Sequence, residues 1–247
     1  MKRINVLLIM LSFVLLLAIQ IQAQVELDVE SGAVFSGYND VRIPGDKGTQ
    51  FSLSEELEAD PAIFNRIRVL YNFNERNHLG ALFAPLSINS SGELDRDLFF
   101  EGETFPANTP LETTFKFNSY RLFYRYDLVR REKVEFGLGL TAKIRDAKIA
   151  VKGGGLESEK TNVGFVPLIH FRLLWKFSGA VSLLIDGDAL AAPQGRAEDV
   201  LAALVIKVSP RIDLKAGYRI LEGGADNDEV YNFTLFNYAA VGAILHF

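Results

Sequence analysis

The 247-residue chain has no cysteine, three histidines and one tryptophan. Without a thiol, neither a disulfide framework nor a lipid-modified cysteine is possible. No Gly-x-Ser-x-Gly and no His-Glu-x-x-His stretch occurs, which removes two common hydrolase signatures. Beyond the N-terminal segment, no apolar run approaches the roughly 20 residues that a membrane helix requires. No Pro/Ser-rich linker or abrupt change of composition divides the rest. Positive charge is also short, with 26 Lys and Arg against 31 Asp and Glu. An acidic balance of this kind gives no support to nucleic-acid binding.

The first residues read as an address. Lys2 and Arg3 precede an apolar run, Val6 to Ile19, broken only by Ser12, and Ala23 supplies the small residue before a cut. The run is too short to anchor in a bilayer, so 1–23 is expected to be a cleaved secretory signal and 24–247 one mature domain. Cleavage would remove Lys2 and Arg3, taking the formal charge from −5 to −7.

Hydrophobic residues still make up 49% of the chain, and they are spread over short alternating segments. That is the weak per-segment signature of strands with one apolar and one polar face. Polar turns at 74–77, 130–132, 177–179 and 209–211 alternate with longer Gly-rich or acidic stretches at about 41–62, 89–112, 152–160, 192–198 and 222–230. The predicted strands are 25–40, 63–73, 78–88, 113–128, 132–150, 161–177, 179–191, 199–208, 211–221 and 231–247. The fold class is therefore all-β, a closed antiparallel transmembrane barrel of ten strands, with 8 or 12 as alternatives. Short turns lie at one end and long outer loops at the other. Phe51–Leu57 is left open between strand and short helix.

The last strand is the most telling. Counting back by twos from Phe247 gives Leu245, Ala243, Val241 and Ala239, an apolar face, while His246, Gly242 and Tyr238 share the other. This resembles the C-terminal strand of bacterial outer-membrane β-barrels, whose terminal Phe and alternating residues are read by the insertion machinery. The size and loop pattern are similar to small opacity-type or W-type porin-like barrels. The resemblance implies a cell outer-membrane location in a Gram-negative envelope and contact with outer-membrane lipid and lipopolysaccharide. The expected state is a monomer without a cofactor.

Trial registers through the turns sort the charges onto one face. Arg125 falls opposite Glu135, Lys207 opposite Asp213, and His170 opposite Asp186. A charged side chain facing lipid near the midplane costs about 2–4 kcal/mol. Arg66, Arg68, Arg121, Arg125, Glu135, Arg172, Lys207, Asp213 and Arg219 are therefore assigned to the lumen. Lys143, Arg145, Asp186, Asp188 and Lys215 also fall on this face. Ten strands enclose little space, so these charges are expected to pair as a polar plug. A narrow path for ions or small hydrophobic solutes is the alternative. Pro167, on the outward face of the sixth strand, predicts a bulge or a strand end. Trp175, Tyr71, Tyr126 and Tyr218 are candidates for interfacial girdles.

Some small outer-membrane barrels are lipid- or peptide-cleaving enzymes, with Ser–His or Asp–His sets near the outer rim. Here the one comparable constellation is His170 with Asp186 and Asp188, in which a carboxylate would orient an imidazole base. Its place within the wall favours an ion pair. Asp226, Asp228 and Glu229 cluster in a turn-prone segment that offers oxygen ligands to a hard cation, but the spacing is not that of a dedicated calcium loop. The leading expectation is a non-enzymatic surface-interaction or structural role.

Overall fold

The computed structural model describes residues 24–193 and 195–247; the predicted signal segment lies outside them. Among the described residues all elements are strands: β1 (Gln24–Arg42), β2 (Phe51–Ser52), β3 (Glu58–Ala59), β4 (Ala62–Asn72), β5 (Asn77–Ala84), β6 (Ser87–Gly92), β7 (Leu98–Phe100) and β8 (Glu103–Phe105). They continue with β9 (Leu111–Arg130), β10 (Val134–Gly153), β11 (Leu156–Lys176), β12 (Val181–Ala192), β13 (Gly195–Ser209), β14 (Ile212–Asp226) and β15 (Tyr231–His246).

Ten wall positions close into a barrel, with β5 and β6 forming one position interrupted at Pro85–Leu86. Every neighbouring pair is antiparallel, and β1 pairs with both β4 and β15. Closure removes the free edges that an open sheet would carry. Val241 and Phe247 stand exposed on the outside, while Tyr238, Ala240 and Ile244 are buried within. Phe165, Leu140, Val163 and Leu204 extend the outer apolar belt. Trp175, Tyr126 and Tyr218 are outward and exposed, and Tyr71 packs edge-on against Phe73.

The strands run further than the turn chemistry suggests. Three of the five outer connections are mostly wall: β10 and β11 meet at Gly154 and Gly155, with φ of 58° and 83°. Glycine takes those angles without a Cβ clash, and two in succession make a tight hairpin. The connections over 43–61 and 93–110 remain long. Together they form an apolar cap in which Phe51, Leu53, Leu57, Leu94, Leu98, Phe100 and Phe105 are buried. Phe51–Leu57 is a brief strand and turn rather than a helix.

The register at the turn near 210 is as predicted, with Lys207 opposite Asp213. Elsewhere it is shifted by an even number of residues. Arg125 lies opposite Gly139 rather than Glu135, and His170 opposite Asp188 rather than Asp186. An even shift changes partners but keeps every side chain on its face, whereas an odd one would reverse the wall.

One ladder is incomplete. β10 pairs with β11 along its whole length, up to Gly153–Leu156, but β11 pairs with β12 only from Lys176–Ser182 to Ile169–Ala189. Among the described residues, 156–168 therefore have no ladder partner on their β12 side. Pro167 stands two residues beyond the last pair. It makes no bulge against β10, where its partner is Ala142, and it marks the end of the β11–β12 ladder instead of the end of the strand.

Candidate functional site

Period-two alternation sends most strand charges to the lumen, where they sort into three levels, while Lys116 and Asp146 pair at 2.9 Å on the other face. At the turn end, β1, β5, β9, β10 and β11 surround a vestibule of about 450 Å³ lined by Glu26, His78, Arg125, Asp127, Glu135 and Arg172. Asp127 accepts from His78 Nε2 at 2.9 Å and from Arg125 Nε at 2.9 Å. Glu135 takes Lys176 at 2.5 Å and Arg172 at 3.8 Å. Lys207 and Asp213 sit at the rim, where Asp213 binds His246 Nε2 at 2.9 Å despite its register partner.

A layer of buried charge crosses the middle. Asp199 is its hub: Oδ2 accepts from Arg66 Nη2 at 2.8 Å and from Arg121 Nη2, and Oδ1 accepts from Arg219 Nη1 at 2.5 Å. Glu30 takes Arg219 Nε at 2.7 Å and Lys215 Nζ at 2.8 Å, and Asp28 lies 2.7 Å from the same ammonium. Arg68 Nη2 is 2.7 Å from Asp186 Oδ1, a charge contact without in-line hydrogen-bond geometry. Buried ions are tolerated only when paired and hydrogen-bonded in this way. Small residues make the room: a Cβ on Gly242 would lie 2.8 Å from Lys215 Cε, and one on Gly80 2.1 Å from the Phe123 ring.

His170 belongs to this layer. Its Nδ1 is 3.1 Å from Asp188 Oδ1, which also accepts from Thr141 Oγ1 at 2.5 Å, and Asp188 Oδ2 binds Arg121 Nη1 at 2.5 Å. The ring packs 4.6 Å from that of Phe123, is 1% exposed, and leaves Nε2 without a partner. So the predicted triad is brought together as His170 with Asp188, while Asp186 is held by Arg68.

Above the layer and below the cap lies a second cavity of about 450 Å³. Phe115, Phe117, Leu190 and Phe236 give it apolar walls, and Lys143 and Arg145 of β10 reach it. Its lining includes inward Val166 together with outward Phe165 and Pro167, so the chamber passes through the wall where the β11–β12 ladder is missing. At the outer turn, Asp226 lies 3.9 Å from Arg42. Among the described residues no group of three His, Asp or Glu is arranged to hold a metal, and Asp226, Asp228 and Glu229 do not converge.

Of the lumen assignments, Arg66, Arg68, Arg121 and Arg219 meet in the layer, while Glu135 and Arg172 belong to the vestibule. Arg125 joins Asp127 at the boundary between them. Three carboxylates were not foreseen: Glu30, Asp127 and Asp199. The first two extend the alternation of Glu26–Asp28 and Arg125, which was the available signal. Asp199 stands at the head of the predicted strand 199–208, beside the turn-rich stretch 192–198, and was not assigned to the lumen.

These features define a bacterial outer-membrane-type β-barrel. The fold is similar to that of the outer membrane protease OmpT from Escherichia coli, with 11% identity over 92% of this chain and 98% of that one, at a TM-score of 0.56. Looser likenesses are to the transport unit of the autotransporter AIDA-I from Escherichia coli, 9% identical over 91% and 89% at a TM-score of 0.48, and to the attachment invasion locus protein Ail of Yersinia pestis, 14% identical over 90% and 98% at 0.35. At such identities the likeness establishes the fold alone. No family model matches the sequence, and no curated protein does.

Proposed function

We propose that the protein is a monomeric barrel of a bacterial outer membrane that neither conducts nor hydrolyses, and that it acts through its capped outer face. The observation that carries this reading is the mid-lumen layer, in which Glu30, Arg66, Arg121, Asp199 and Arg219 are all nearly fully buried and mutually paired. An ion crossing the lumen would have to break those pairs. A hydrolytic His170 would need substrate at a nitrogen enclosed by Phe123 and the wall, with Asp188 already committed to Arg121. The apolar belt and the lipid-facing Val241, Ala243, Leu245 and Phe247 support the membrane assignment and suit recognition by the insertion machinery. The short turns and outer extensions are in keeping with small opacity-type or W-type barrels, and the cap would meet lipopolysaccharide or a neighbouring surface. Planar-bilayer recording tests the plug: purified protein inserted at high salt is expected to give no unitary conductance. A reproducible single-channel step abolished by heat denaturation would refute the reading.

A further inference from the structure

Six buried lumen cations have carboxylate partners within salt-bridge distance: Arg66, Arg68, Arg121, Arg125, Lys215 and Arg219. Lys143 is a seventh, 2% exposed, and among the described residues it lies within 4.0 Å of no carboxylate. The deeper Asp188 and Asp199 are taken by Arg121, Arg66 and Arg219. The Lys143 ammonium rests instead over the Phe117 ring, 4.7 Å from its centroid, and faces the outer chamber. Two residues on, Arg145 reaches the same chamber without a carboxylate partner. It donates to Asn162 Oδ1 at 2.5 Å, and its Nε is buried with no partner. Gly164 opposite leaves the guanidinium space, since a Cβ there would lie 3.2 Å from Nη2. A buried cation without a counter-charge is costly, and a cation–π contact of this kind offsets only about 0.5–2 kcal/mol.

The rest of the lining is mixed: Phe115, Phe117, Ile149, Leu190 and Phe236 are apolar, Lys148, Lys160 and Arg196 add positive charge, and Glu222, bound to Arg196, and Glu229 add carboxylates. A volume of about 450 Å³ lies within the roughly 300–1,000 Å³ typical of small-molecule sites. Ile43 and the outer-turn residues Asn227, Glu229 and Val230 border it above, and the charge layer lies below. One approach is lateral, between Val166 and Pro167 of β11 and Leu190 and Ala192 of β12, where the ladder has ended. Unpaired strand backbone at membrane depth is tolerated where it lines a cavity instead of facing lipid. That gap gives a solute held in the outer leaflet a route into the chamber.

We infer that the chamber is a binding site for a single-chain anionic amphiphile, its carboxylate or phosphate head on Lys143 and Arg145 and its tail along Phe115, Phe117 and Leu190. The site does not depend on the plug being tight. The mature chain in zwitterionic nanodiscs, given radiolabelled palmitate, hexadecyl phosphate or hexadecanol, tests it. Palmitate or hexadecyl phosphate is expected to bind at least about tenfold more tightly than neutral hexadecanol, a difference of about 1.4 kcal/mol. The tighter of the two anions identifies the head group. Acetate and inorganic phosphate should not compete. Lys143→Met should weaken anion binding about tenfold and leave hexadecanol unchanged, and Lys143→Arg should retain it. Leu190→Trp, which fills the chamber, should abolish all three. If Lys143→Met fails to fold, judged by its gel mobility before and after heating, Leu190→Trp and Lys143→Arg still decide. Equal binding of hexadecanol and the anions, or anion binding unaffected by Leu190→Trp, overturns the inference.

Discussion

Replacing Asp199 by alanine is the sharpest perturbation of the charge layer. Its carboxylate is 2% exposed and binds Arg66, Arg121 and Arg219 at once. Removing it leaves Arg66 with Glu30 at 4.0 Å, Arg121 with Asp188, and Arg219 with Glu30. The guanidiniums would then repel one another in a closed space with fewer counter-charges. Breaking one buried pair from a single side costs about 3–5 kcal/mol, so Asp199→Ala should lose at least that much. With a urea slope of about 1–3 kcal/mol per molar, the midpoint should fall by about 1 M or more. The assay is equilibrium unfolding from lipid vesicles. It is followed by fluorescence of Trp175, the chain's single tryptophan and half-exposed on the outer wall. A double-mutant cycle with Arg121→Ala should return a coupling of at least about 1.5 kcal/mol. A loss below about 1 kcal/mol with no coupling would mean that water replaces the carboxylate and that the layer is not a plug.

Gly80→Ala should destabilise by about 1–3 kcal/mol, because the added methyl meets Phe123 at 2.1 Å; an unchanged unfolding midpoint would count against the packing described. Val241→Arg, on the lipid face, should cost up to about 2–4 kcal/mol according to its depth, whereas an unaffected barrel would place that face away from lipid. In the cap, the Arg96 hydrogen bond holds the Glu56 carboxyl below its ordinary value, helped by the Ser52 amide. A lowered folded value means that this stabilisation is present above the ordinary carboxylate range and is lost as pH falls through the folded value. Hydrogen exchange at 52–57, corrected for intrinsic rate, should therefore rise on acidification, and Glu56→Gln should abolish that dependence.

Face assignment was legible in the sequence because it depends only on parity. Arg121, Arg125 and Arg219 were placed inside, and Val241 and Leu245 outside, without knowing any partner. Pairing was less legible, since an even register shift moves His170 from Asp186 to Asp188 without moving any hydrophobic residue. Asp199 was not assigned to the lumen because it stands at the edge of the predicted strand 199–208, where the Pro, Gly and charge of 192–198 hid an alternation that in fact begins at Gly195. The Gly154–Gly155 hairpin had its signal, two glycines between alternating segments, yet its polar flanks read as loop. The lateral opening had only Pro167. A missing neighbour leaves no mark in the strand that lacks it, and a proline lacks a donor whether or not a ladder awaits it.

The charge layer joins strands from opposite ends of the chain. Glu30 of β1 binds Lys215 and Arg219 of β14 across 185 and 189 residues. These contacts form only when the last hairpin arrives beside the first strand, and contacts so distant in sequence are slow to find. Until then Lys215 lacks both of its carboxylates, Asp28 and Glu30, and Arg219 has only Asp199 of the neighbouring β13. The layer thus works as an assembly checkpoint: its ions are neutralised together only after the seam between β1 and β15 has been sealed, so a half-closed barrel is penalised in proportion to the ions it leaves unmatched.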